Sequence, residues 1–75
     1  MEPADRKPMP SVGLGASEIR VRDSTGAYRV IYVAKFSEAV YVIHAFQKKA
    51  RKTPKPEIAL AGKRFRDLVQ ERKWR

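Results

Sequence analysis

The residues best equipped for chemistry in this chain are cations. Arg20 and Arg29 stand in strand-like stretches, and Lys48, Lys49, Arg51, Lys52 and Lys55 crowd residues 48–55 just beyond another. Fixed guanidinium and ammonium groups bind phosphates and stabilise negative charge as it develops in a transition state. His44 lies close to that run, and histidine takes up protons near neutral pH, although in an apolar strand a hydrogen-bonded core histidine fits equally well. Metal chemistry finds no support, because the chain has one histidine, no cysteine and only scattered acids. No phosphate-cradling glycine loop or nucleophile triad occurs at meaningful spacing, and no cofactor is expected.

Such cations work together only if strands hold them on one face. From Ser17 onward, Ile19 and Val21 alternate with Glu18, Arg20 and Arg22, the pattern of a half-buried strand. The turn "DSTG" leads to a second strand, "AYRVIYVAKF", and a short turn at "SE" to a third, "AVYVIHAF". With "DSTG" as the loop, Arg20 faces Arg29 and Arg22 faces Ala27. With a two-residue turn at Ser37 and Glu38, Arg29 faces Phe46, Ile31 faces His44, and Lys48 continues the Arg29 face. A slip of one residue in that second turn would send His44 and Lys48 to the other side. Opposed arginines repel. They call either for an anion between them or for an acid such as Glu18 or Asp23 beside them.

A helix should follow. Thr53 is suited to cap it, Pro54 to open it, and Ile58, Ala61, Phe65, Leu68 and Val69 recur at helical spacing as one apolar stripe. Gly62 weakens such a helix by about 1 kcal/mol relative to alanine unless close packing requires it. The expected fold is therefore α+β, a three-stranded antiparallel meander followed by a C-terminal helix. Residues 1–16, with three prolines, form an irregular lead-in, and residues 17–75 form the domain. Both sheet faces read as apolar, yet one helix is available to cover them. A partner or a further piece of domain should cover the remaining face.

Seventy-five residues allow one small domain, and the net charge of +9 is placed unevenly. Residues 1–34 carry five Lys/Arg against four Asp/Glu, whereas residues 35–75 carry twelve against four. That clustering is the footprint of a polyanion-binding protein, although a solvated helix face or an acidic partner gives the same count. No apolar run approaches a membrane span of about 18 residues, and the absence of cysteine suits a reducing compartment, so a soluble cytoplasmic protein is expected.

The strings "EIRVRD", "AYRVIYVAKF" and "VYVIHAFQKKARKTPKPEIALA", followed by a basic helix, resemble the RelE/ParE toxin superfamily, in particular its phage-related, HigB-like branch. The resemblance runs from about Lys7 to Arg66. It implies the toxin half of a type II toxin–antitoxin module, a ribosome-dependent endoribonuclease that cuts mRNA without a metal. On that likeness Arg29 contacts the scissile phosphate, Arg20 stabilises charge, Lys49 assists the leaving oxygen and His44 is the candidate base. Arg22, Lys48, Lys52, Lys55, Lys63 and Arg64 hold mRNA or rRNA, and Phe46 stacks on a base. The implied partners are a helix-turn-helix antitoxin, mRNA on the ribosome and rRNA, with no membrane. Complete relatives are implied to begin with a strand and a helical hairpin that this chain lacks, which would leave it inactive if they are needed. The alternatives are a ParE-like toxin binding a protein target such as DNA gyrase, or an inert remnant.

Overall fold

The computed structural model describes residues 6–73. Three long strands, β2 (Ala16–Asp23), β3 (Gly26–Val33) and β4 (Tyr41–Gln47), form an antiparallel meander, and helix α1 (Lys55–Lys73) packs across one face. A two-residue strand, β1 (Lys7–Pro8), pairs with β2 and makes the sheet four-stranded, in the order β1-β2-β3-β4. The α+β class is as expected, with one short strand added.

The β2–β3 turn follows from three residues. Asp23 Oδ1 accepts hydrogen bonds from the backbone N–H of Thr25 at 2.8 Å and from its hydroxyl at 2.6 Å, which closes the turn locally. Gly26 then takes φ +139°, a conformation that side chains disfavour. Register follows as expected, with Arg20 opposite Arg29 and Arg22 opposite Ala27.

The β3–β4 pairing departs from the expected hairpin but reaches the same register where it matters. Arg29 faces Phe46 and Ile31 faces His44, whereas Tyr32 faces Val42. Ile43 is thus an extra residue, a bulge, and both Ile43 and His44 are buried although they are consecutive. The tight turn at Ser37 and Glu38 is replaced by a connection over residues 34–40. Arg72 of α1 holds that connection, donating to Glu38 Oε2 at 2.7 Å and Oε1 at 3.0 Å while its guanidinium lies 3.6 Å from the Phe36 ring centre.

Ile31, Val33, Ile43 and Ala16 meet Ala61 of the helix in the core, with Ile58, Phe65 and Leu68 packed against them. The described part of the lead-in also belongs to this core: Met9 and Val12 are buried, so the packed unit does not begin at residue 17. Backbone bonds from Met9 N–H to Ala16 O (2.9 Å) and from Val12 N–H to Met9 O (3.0 Å) fold residues 9–16 into a tight loop against α1. Residues 1–5 of the lead-in lie outside the described residues. Helix α1 opens differently from the expected cap, because the Pro54 carbonyl accepts from Glu57 and Ile58 N–H, both at 3.1 Å, while Thr53 donates its hydroxyl elsewhere. On the sheet face away from α1, the apolar residues stay partly open, with Val21 41% and Val42 65% exposed.

A candidate phosphate-binding cleft

Helix α1 covers the half of its sheet face nearest Val33 and leaves the half nearest the β2–β3 turn open. There Arg20, Arg22, Val21, Ala27 and Lys48 line a cleft of about 230 Å³. Lys48 reaches it because its backbone N–H bonds to Ala27 O at 2.8 Å, which extends β4 by one residue toward the cleft. Three cations and no acid line this space. Like charges held together this closely attract a polyanion and raise its local concentration.

A second cleft, of about 240 Å³, adjoins the first through Arg20 and is lined also by Lys7, Glu18, Arg29 and Arg51. At its base lies an arrangement the sequence only half announced. Arg29 and Glu18 are 6% and 3% exposed, and Arg29 Nη1 donates to Glu18 Oε1 at 2.5 Å. Glu18 faces Ile31 across the strands, so Arg29 is its diagonal neighbour, within reach of long side chains. The other Glu18 oxygen accepts from Thr53 Oγ1 at 2.5 Å. Arg29 Nη2 donates to the Ala50 carbonyl at 3.1 Å and to that of Arg51. One buried pair thus ties the 48–53 loop, and the cations on it, to the sheet.

His44 is committed in a similar way. Its ring stacks on Phe46, with centroids 5.1 Å apart and planes at 27°. Nε2 lies 2.7 Å from Glu57 Oε1, and Arg64 donates to Nδ1 at 3.0 Å and to the Ile43 carbonyl at 3.0 Å. Because an arginine donates only, Nδ1 must accept, and the imidazole proton sits on Nε2, donated to Glu57. His44, Arg64 and Glu57 therefore fasten α1 to β4. Neither clefts' lining includes His44 or Phe46.

The structure brings Arg20, Arg22 and Lys48 to one cleft and sets Arg29 with Arg20 in the adjoining one, with both terminal nitrogens of the Arg29 guanidinium engaged. Lys52 is exposed on the loop with Lys49, and Lys55 is exposed at the first position of α1. Lys63 pairs with Asp67 at 3.3 Å on the exposed helix surface. Sequence reasoning passed over Lys7 and gave Arg51 no role. Lys7 occupies the cleft because β1 pairs it with Glu18, and a two-residue strand in a proline-rich segment leaves no periodicity to detect.

A small antiparallel sheet with one C-terminal helix and an open cationic cleft makes up an α+β architecture. The family model described as phage derived protein Gp49-like (DUF891) matches residues 1–66. The chain belongs to that Gp49-like phage-derived family, a RelE-like toxin family. Neither the curated proteins nor the solved structures yield a match. No described helix is long and apolar enough to cross a membrane.

Proposed function

We propose that the chain is the toxin of a type II toxin–antitoxin module of HigB-like kind, and that it cuts mRNA on the ribosome. The observation that carries this reading is the acid-free cleft of Arg20, Arg22 and Lys48 beside a family assignment to RelE-like toxins. In such cleavage the ribose 2′-oxygen attacks the adjacent phosphorus, the 2′-proton is removed, and the 5′-oxygen departs with a proton. The phosphate gains negative charge on the way to a five-coordinate transition state. Positioned cations stabilise that charge, and losing one such donor costs on the order of 10²-fold in rate.

In this reading Arg20 and Lys48 meet the reacting phosphate and Arg22 holds its neighbour. The phosphate contact expected of Arg29 is assigned to Arg20 because Arg20 lines the acid-free cleft with Arg22 and Lys48, while Arg29, bound to Glu18 and to two carbonyls, positions the loop. Lys49, exposed on that loop, remains the candidate to assist the leaving oxygen, and Lys52, Lys55 and Lys63 add salt-sensitive contacts to RNA. His44 acts by fixing the helix, because both its nitrogens are taken. The test is expression in translating cells followed by mapping of mRNA 5′ ends. New ends within codons are expected from the wild type, and a loss of at least about 10²-fold from Arg20→Ala or Lys48→Ala.

The open apolar face supports a protein partner, which we take to be the antitoxin. Exposure of Val21 and Val42 there also favours a second reading, a ParE-like toxin that binds a protein target without cutting RNA. Growth arrest with intact mRNA would select that reading.

A further inference from the structure

A third cleft continues the trough. It has a volume of about 330 Å³, shares Lys7, Arg29 and Arg51 with the second cleft, and runs between the lead-in loop and the start of α1. Lys52 adds a cation, Ser11 and Thr53 bring hydroxyls, and Pro8, Pro10 and Ile58 supply apolar surface. No acid lines it. We propose that this cleft is a nucleotide subsite, receiving the unit of the RNA strand that lies beyond the phosphate held by Arg20, Arg22 and Lys48.

The inference rests on the RNA reading above and adds a place and a ligand class to it. Three observations point to a nucleotide rather than to a bare anion. The volume falls within the range of about 300–1,000 Å³ typical of small-molecule sites. Cations and apolar atoms line one space, matching a unit that is anionic at its phosphate and flat and apolar on its base. The three clefts are joined in sequence, the first to the second by Arg20 and the second to the third by Lys7 and Arg51. A polyanion lying in the first cleft therefore meets the shared cations Arg20, then Lys7 and Arg51, toward the third. An acidic peptide would satisfy the charges but leave the surface of Pro8, Pro10 and Ile58 without a flat partner.

The position of the loop explains why the subsite exists in this fold. Arg29 grips the carbonyls of Ala50 and Arg51, which turns the Arg51 and Lys52 side chains to the lead-in side of the trough. Met9, held by its bond to Ala16, supplies the opposite wall.

The test uses purified full-length chain and a single-stranded RNA hexanucleotide, followed by fluorescence anisotropy. Lys52→Ala should weaken binding several-fold and reduce the salt slope of log K by about 0.7, the value for one lost phosphate contact on a single strand. Lys52→Arg should restore both. Replacing the bases one at a time with abasic sugars should reveal one position whose loss weakens binding several-fold, as for a base resting on the apolar part of the lining. Ser11→Trp, which fills the cleft from an exposed position, should erase that position's difference while circular dichroism stays unchanged. The subsite is refuted if Lys52→Ala alters neither affinity nor slope, if the abasic scan is flat, or if a poly-glutamate peptide competes as well as RNA. RNA binding in this pattern by a chain that leaves mRNA on translating ribosomes uncut would refute the nuclease reading and leave the subsite standing.

Discussion

The chemistry of the trough depends on a carboxylate that is not itself basic or exposed. Glu18 spends one oxygen on Arg29 and the other on Thr53, and through Arg29 it anchors the carbonyls of Ala50 and Arg51. Such a pair adds little net stability compared with apolar packing, but removing one partner strands the other charge in a dry site. Glu18→Ala should therefore lower unfolding free energy by about 3–5 kcal/mol in urea denaturation. Thr53→Val, which removes only one neutral donor, should cost about 1–3 kcal/mol by leaving the Glu18 oxygen unpaired. Equal, small effects from both would mean that the pair is solvated and the loop held by other contacts. The facing of Arg20 and Arg29 was legible in the alternation of two strands and one turn. The commitment of Arg29 was not, because its carbonyl partners come from a loop whose path no period encodes.

At the level of elements, two glycines of the helix contact behave oppositely. A Cβ on Gly62 would lie 3.6 Å from the Arg66 guanidinium and 3.8 Å from Val12 O, ordinary contacts. Gly62→Ala should then gain up to about 1 kcal/mol from helix propensity and raise Tm by about 4–8 °C. At Gly13 a Cβ would come within 2.5 Å of the Phe65 ring, so Gly13→Ala should cost about 1–3 kcal/mol by overpacking. The helix stripe of Ile58, Ala61, Phe65 and Leu68 could be read directly from spacing. That Gly13 is its counterpart could not, since the contact joins a loop to a helix across most of the chain. The same holds for the Ile43 bulge, which shortens the expected strand at its start while preserving the register at Arg29.

The corner between the 34–40 connection and α1 carries a pH dependence. The hydrogen bond from Arg72 to Glu38 is the main cause that depresses its carboxyl from 4.5 to about 2, and Tyr41 donates to it as well at 2.9 Å. A depressed acid stabilises the fold above its unfolded value and loses that contribution as pH falls toward the folded one. The stability difference between wild type and Glu38→Gln should thus persist at neutral pH and shrink between pH 4.5 and about 2. A difference independent of pH over that window would show that Arg72 holds the connection through Phe36 alone.

On the scale of the whole molecule, three surfaces divide the work. One half of the helix-side face is core, the other half is the cationic trough, and the reverse face is apolar and open. Part of the uneven charge noted along the sequence, Lys48, Arg51 and Lys52, folds into that trough because the 48–53 loop returns to the edge of β2, where Lys7, Arg20 and Arg22 already stand. A partner burying about 400 Å² of the apolar face would gain about 10 kcal/mol before the costs of association. Co-purification with an antitoxin should accordingly remove dye binding to the open face, and a chain that is monomeric and dye-silent alone would argue against a partner there. The contacts of Arg20, Arg22 and Lys48 should together contribute about −2 to the log–log salt slope for single-stranded RNA.

The central proposal is that Arg20 and Lys48 grip the phosphate at which RNA is cut while Arg22 holds its neighbour. The most direct measurement is 5′-end mapping of mRNA from translating ribosomes with wild type and the folded Arg20→Ala/Lys48→Ala double variant. Cuts within A-site codons from the wild type alone are the predicted result. Cutting at an undiminished rate by the double variant, or none by the folded wild type, would contradict it.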